Sequence, residues 1–230
     1  MDDQLGLRER KKQQTWGLIA QTARRLFQEH GFDAVTVADV ARAADVSRKT
    51  VFNYFPAKED LFYSGMEIYQ ARLLDAIRQR RPGESILGAF TRFITSSSGL
   101  LAAADPDAGE RLLAINRMIA SSPALLAREQ QIYAGYAAAL AALIAEETHA
   151  RPDDAAPWVA ANAMIGLHKA LVDYVRRQLL AGHGNRARLA RELHAQARQA
   201  VTLLQRGLSH LGTAGAPAPI VATEPAERLG

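Results

Sequence analysis

Apolar residues in the first fifty positions recur at helical intervals. Between Lys11 and His30 they fall at Trp16, Ile19, Ala20, Ala23, Leu26 and Phe27, one face of a helix. Gly31 then supplies a residue that tolerates the left-handed turn ending a helix. In TVADVARAA, Thr36 can cap a second helix, with Asp39 three residues on, close to a capping box. Val40, Ala41 and Ala44 form its short buried face. Asp45-Val46 interrupts the pattern, Ser47 caps again before RKTVFNYF, and Pro56 stops that helix by disfavouring helical geometry at the preceding residue. Two short helices joined by a tight turn over 36–55 have the dimensions of a helix-turn-helix.

Beyond Pro56 one long helix is predicted from Ala57 to the break at Pro82-Gly83, carrying Leu61, Phe62, Met66, Tyr69, Leu73, Leu74 and Ile77. Further helices are predicted over 84–103, 107–120, 123–149, 155–181 and 186–211. The breaks are Asp105-Pro106, Ser122-Pro123, Arg151-Pro152 and Gly182-His183-Gly184. Asp154 or a neighbour caps the 155–181 helix, Pro157 sits in its first turn, and Asn185 caps the last helix. The Ala-, Pro- and Gly-rich end from Thr213 has no periodicity and reads as a disordered tail over 213–230. The fold class is all-α, with about nine helices.

Composition agrees. The 230 residues include 44 alanines and only 9 prolines, which favours helix over sheet. No cysteine is present, which excludes disulfides, a thiolate nucleophile and cysteine-held metal. The opening MDDQLGLRERKK has no apolar segment behind its charges, so no secretory signal is read. The uncharged stretch from Gln130 to Ala145 is 16 residues, short of the ~18 needed to span a membrane. A cytoplasmic protein is expected. The net charge of +4 is unevenly spread: residues 8–58 hold 10 Lys/Arg against 5 Asp/Glu, and residues 59–230 hold 18 against 17. A polyanion partner for the first part explains this, and so does a solvated basic face.

The 47–55 segment has the residues a DNA-reading helix needs: Val51 and Phe55 to anchor it, and Arg48, Lys49, Thr50, Phe52, Asn53 and Tyr54 over its remaining surface. The wider run is more specific. TARRLFQEHGFDAVTVADVARAADVSRKTVFNYFPAKEDLF resembles the N-terminal DNA-binding domain of the tetracycline-repressor (TetR-type) family of bacterial regulators over roughly residues 11–65. The resemblance implies an all-helical homodimer, an operator-binding unit over 8–58, and a ligand-binding and dimerisation domain over 59–212. It implies phosphate contacts for Thr36, Ser47 and Lys58, and base-reading positions for Arg48, Lys49 and Thr50. Phe52 would meet a thymine methyl or sugar, and Asn53 and Tyr54 a phosphate or base edge. Two departures stand out: Asp45 replaces the usual turn Gly, and Ala57 the usual capping Ser or Thr.

Other features are weaker. Arg10, Lys11 and Lys12 read equally as an arm on the DNA backbone or a solvated helix start. His168 reads more readily as a core or interface histidine than as a ligand contact. His194 and His210 lack partners at metal spacing, so no metal or cofactor is expected. Ser96-Ser97-Ser98 has no nucleophile-elbow glycines and reads as a polar helix face. Apolar faces of the last two helices, Trp158, Ala161, Ile165, His168, Leu171, Val172 and Val175 with Leu189, Leu193, Ala197, Ala200, Val201 and Leu204, are expected to form a four-helix dimer seam. Phe90, Phe93, Met118, Tyr133, Tyr136, Met164 and His168 are candidate walls of an effector cavity. The leading reading is a regulator, a repressor released from double-stranded DNA by a small lipophilic effector, acyl-CoA-like or otherwise. A constitutive DNA-binding protein without a ligand is the alternative. An enzyme in the later helices lacks any nucleophile–base or metal constellation.

Overall fold

The computed structural model describes residues 6–96, 107–183 and 185–206. Among them are ten helices and no strand: α1 (Leu7–His30), α2 (Val37–Ala43), α3 (Arg48–Tyr54), α4 (Lys58–Phe62), α5 (Met66–Arg78), α6 (Ile86–Ser96), α7 (Ala108–Ser121), α8 (Pro123–Thr148), α9 (Ala156–Leu180) and α10 (Arg186–Arg206). The all-α class holds. The end of the 84–103 helix, the Asp105-Pro106 break, Ser97-Ser98, His210 and the tail from Thr213 lie outside the described residues.

Most boundaries follow local chemistry. Gly31 ends α1 at φ 81°, its N–H donating to the Phe27 carbonyl at 2.9 Å. Thr36 and Asp39 form a full capping box: the Asp39 N–H donates to Thr36 Oγ1 at 3.2 Å and the Thr36 N–H to Asp39 Oδ2 at 2.9 Å. Pro123 occupies the first turn of α8 behind Ser122. Asn185 Oδ1 accepts the Arg188 N–H at 3.0 Å and caps α10. One expectation fails. The single helix predicted from Ala57 is two, because α4 stops after Phe62 and Gly65 turns left-handed (φ 96°, ψ −9°) before α5 begins. Apolar spacing alone carries on through this break, and only Gly65 signals it.

Two large apolar clusters fill the interior, with a third, small one of Val175, Leu179 and Leu189 between α9 and α10. Ile19, Phe27, Phe32, Val40, Val51, Phe55 and Leu61 close the core of α1–α4, and Ile119 and Leu125 enter it from α7 and α8. Rings continue the packing: Phe27, Phe32 and Phe62 lie with centroids 5.2–6.0 Å apart, and Phe62 meets Tyr63 edge-on at 5.1 Å. The second cluster joins α5, α6, α8, α9 and α10 around Phe90, Leu140, Ala161 and Ile165. The expected dimer seam needs correction here. Ala161, Ile165, Leu171, Val175, Leu189, Ala197 and Val201 are all buried inside the monomer. Of the expected face Trp158 stays open at 52% exposure, beside Val159 at 67% and Leu180 at 44%, so the open apolar surface of α9 overlaps the expected seam only at Trp158.

Phe27 is 2% exposed and touches rings from both the α1–α2 turn and α4. Phe27→Ala is expected to cost about 3–5 kcal/mol, read as a lower urea midpoint. A midpoint within error of wild type contradicts this packing.

Candidate nucleic-acid interface and core cavity

The recognition helix α3 is fixed from below and open above. Val51 and Phe55 are buried, and Phe55 stacks on Trp16 of α1 at 5.7 Å. Arg48, Lys49, Phe52 and Asn53 are exposed, and Thr50 and Tyr54 are partly buried. Ser47 caps the helix by accepting the Thr50 N–H at 3.0 Å, and the two hydroxyls share a 2.8 Å bond. Asp45 takes the left-handed turn at φ 51°, which its short polar side chain tolerates.

The flanking positions are also held. Thr36 Oγ1 donates to Asp39 Oδ2 at 2.6 Å, and this bond together with the Thr36 N–H and Arg42 lowers the Asp39 pKa. Lys58 Nζ lies 4.2 Å from the Phe32 ring centroid, a cation–π contact that orients the ammonium. Ala57 offers no side-chain cap to α4, and Asp60 compensates by accepting the Ala57 N–H at 2.9 Å. The same carboxylate accepts Arg128 Nε of α8 at 2.7 Å. Tyr63 Oη donates to the Leu125 carbonyl at 3.1 Å. Two polar ties therefore attach the α4 end of the helix-turn-helix unit to α8.

Behind α4 lies a cavity of about 430 Å³, walled by Phe62, Tyr63, Ser64, Met66 and Tyr69 from the α4–α5 region and by parts of α6 to α10. Tyr133 and His168 line it. Of the other candidate wall residues, Phe90, Phe93 and Met164 lie within the C-terminal core, and Met118 packs against the helix-turn-helix core. Tyr136 lines a separate groove of about 590 Å³ and donates to the Met66 carbonyl at 2.7 Å.

Sequence reasoning missed the polar part of this wall. Arg176 of α9 makes a two-pronged ion pair with Glu129 of α8 (2.5 and 3.0 Å) and donates to Asn116 Oδ1 of α7 at 3.2 Å. Both charged residues are buried, at 8% and 5% exposure. The available signal was a charge on an otherwise apolar helix face. The two formal charges compensate each other, and Asp173, one turn before Arg176 on α9, also reaches the guanidinium at 3.4 Å. Burial, with the Glu129 carboxylate second, raises the Tyr133 phenol far above its ordinary range. Burial pushes Tyr69 up to about 12 and His168 down to about 4. His168 Nε2 meets Tyr69 Oη at 3.2 Å, and its ring stacks on Tyr69. His168 Nδ1 and Ser64 Oγ are buried without a hydrogen-bond partner among the described residues. No helix among those residues is long and apolar enough to cross a membrane.

Comparison with known proteins decides what this arrangement belongs to. Residues 19–64 match the model for bacterial regulatory proteins of the tetR family, and residues 84–213 match that of the MftR C-terminal domain. The chain belongs to the TetR family. It is 31% identical over 163 residues to MftR of Mycobacterium tuberculosis, a protein named for regulation of mycofactocin biosynthesis; the match covers 69% of this chain and 78% of that one. It is 28% identical over 124 residues to the HTH-type transcriptional regulator TcmR of Streptomyces glaucescens, covering 53% and 55%. The fatty acid degradation regulator FadR from Bacillus halodurans shares the fold, with a TM-score of 0.50 at 20% identity over 85% of this chain and 97% of that one. A TetR-family chain with these helices is a DNA-binding transcription regulator. The two relatives are both named as transcriptional regulators.

The neutral state of His168 has a measurable consequence. Its folded pKa of about 4 lies below the ordinary 6.5, so between those values the unfolded chain binds a proton that the folded chain does not. Stability therefore rises with pH across that window and is lost as pH falls through it. His168→Gln removes this contribution, so its melting temperature should fall less between pH 7 and pH 5 than that of wild type. An equal fall in both proteins contradicts the assignment.

Proposed function

We propose that the protein is a homodimeric repressor that binds a two-fold operator and is released by a small, largely apolar effector. The observation that carries this reading is the shared wall. Phe62, Tyr63, Ser64 and Met66, which lead from the helix-turn-helix unit into the C-terminal helices, also line the cavity. A molecule seated there touches the segment that positions the reading helix. It acts to the extent that it prefers the released arrangement, with coupling of about 1–3 kcal/mol. This favours an effector-responsive regulator over a constitutive DNA-binding protein. The compensated Arg176–Glu129 pair and the apolar remainder suit a lipophilic ligand. On this reading the units are 8–58 for DNA and 59–212 for ligand and dimer, and the protein works in the cytoplasm.

On DNA, Arg48, Lys49 and Thr50 read base edges, with Phe52 against a thymine methyl or sugar. Thr36, Ser47 and Lys58 hold phosphates, and Asn53 and Tyr54 reach a phosphate or base edge. The second copy packs on the exposed α9 stripe of Val159, Asn162, Gly166 and Ala170, whose small residues allow close helix approach. Sedimentation at micromolar concentration should give a dimer, and a monomer overturns that part.

Binding-site selection tests the DNA assignment. Arg48→Ala or Lys49→Ala should cost on the order of 1–3 kcal/mol per lost base contact and relax one position in each half-site. Lys58→Ala should weaken all sequences alike. The reverse pattern makes the reading face wrong. For the effector, an operator-release screen with lipophilic metabolites, acyl thioesters among them, should yield a hit that Val172→Phe no longer answers while still binding the operator. Release that persists undiminished in Val172→Phe places the effector elsewhere.

A further inference from the structure

The basic start of α1 and the recognition helix enclose one groove. Its volume is about 730 Å³, and Arg8, Lys11, Lys12 and Thr15 form one side while Thr50, Asn53 and Tyr54 form the other. The helix begins at Leu7, earlier than the apolar pattern indicates, because the Gly6 carbonyl accepts the N–H groups of Glu9 and Arg10. That extra turn places Arg8, Lys11, Lys12 and Thr15 at three- and four-residue spacing on one helical face. Two bonds inside the protein already occupy the threonine hydroxyls: Thr15 Oγ1 donates to the Lys11 carbonyl at 2.9 Å, and Thr50 Oγ1 meets Ser47. The open groups of the groove are therefore the three cations, the Asn53 amide and the Tyr54 phenol.

Charge decides what fits. Arg25 and Arg42 of the same unit are neutralised locally by Glu29 and Asp39. Arg8, Lys11 and Lys12 are exposed and have no carboxylate partner among the described residues. Glu9 is the one acid lining the groove. The basic face is also fixed relative to α3, since Trp16, one turn beyond Lys12, stacks on Phe55 at the end of the recognition helix. A helix lying in the major groove runs between two sugar–phosphate strands. A strand passing the Thr50–Asn53–Tyr54 side of α3 would run along this groove, which those residues line.

We infer that Arg8, Lys11 and Lys12 clamp the phosphates of that strand, so that α1 sets how the recognition helix sits in the major groove. The inference rests on the DNA-binding reading above and adds residues outside the helix-turn-helix. These side chains hold the backbone without reading sequence, so they set affinity and its salt dependence and leave base preference to α3.

The test uses the full-length protein, a duplex recovered by binding-site selection with wild type, and an unrelated duplex of equal length. Affinity is measured by anisotropy across NaCl concentrations. In the triple variant Arg8→Ala, Lys11→Ala, Lys12→Ala, the salt slope should fall in magnitude by about 0.9 for each lost phosphate contact, alike on both duplexes. The selected sequence should be unchanged. Lys11→Arg with Lys12→Arg should keep the wild-type slope. A control that removes the exposed Arg78, Arg151 and Arg191 leaves the slope alone if position matters. An equal loss in that control, an unchanged slope in the triple variant, or a shifted sequence preference each overturns the clamp. Wild type that shows no sequence-selective binding overturns the DNA-binding reading and the clamp together. Selective wild-type binding with an unaltered triple-variant slope removes the clamp alone.

Discussion

The ion pair between Arg176 and Glu129 is the constraint around which the C-terminal half is arranged. It ties α9 to α8, and through Asn116 to α7, at a depth where both charged residues are less than a tenth exposed. Such a pair is a weak source of net stability, because desolvation opposes most of its Coulomb attraction. Its effect is positional. Each partner forbids the other from moving away, since an unpaired charge at this depth is costly. Three helices are thereby held in place while a cavity stays open between them. An all-apolar wall of the same helices has no comparable reason to keep that spacing.

The consequence reaches the DNA-binding end through α8. Arg128 and Glu129 are neighbours on that helix, yet they serve different sides of it. Glu129 meets Arg176 in the cavity wall, and Arg128 meets Asp60 of α4. Asp60 in turn satisfies the Ala57 N–H that begins α4, replacing the cap that Ala57 cannot supply. Tyr63 adds a second tie at the Leu125 carbonyl. The left-handed Gly65 then separates α4 from α5, so the short helix is bound to α8 and joined to α5 through a tight turn. A displacement of α8 by about an ångström would therefore be felt at both ends of α4, because hydrogen bonds weaken steeply outside a narrow range of lengths and angles.

The N-terminal unit works by the opposite means. Its core is apolar and aromatic, with Phe27, Phe32, Phe55, Phe62 and Trp16 locking α1, α3 and α4 together. The exposed face of α3 carries flexible donors on a rigid support. Reading a base edge requires that support, since side-chain ordering is affordable only when the backbone is already placed.

Local chemistry fixed much of this protein without any reference to three dimensions. Thr36 with Asp39, Ser47, Gly31, Ser122 before Pro123, and Asn185 each mark a helix end through bonds made within a few residues, and those ends are found where the residues place them. The anchors Val51 and Phe55 were legible for the same reason, four residues apart on a short helix. Tertiary structure decided the rest. The apolar faces of α9 and α10 were visible as faces, but periodicity does not say what covers them, and most of those residues close the monomer's own core. The cavity wall was legible only at Tyr133 and His168. Arg176, Glu129 and Asn116 meet there from three helices, Arg176 and Asn116 lying 60 residues apart in sequence, and Ser64 lines the same wall from the turn before α5. Helix periodicity is a property of neighbours in the chain. A cavity is a property of what several helices fail to fill, and that is set only when they pack.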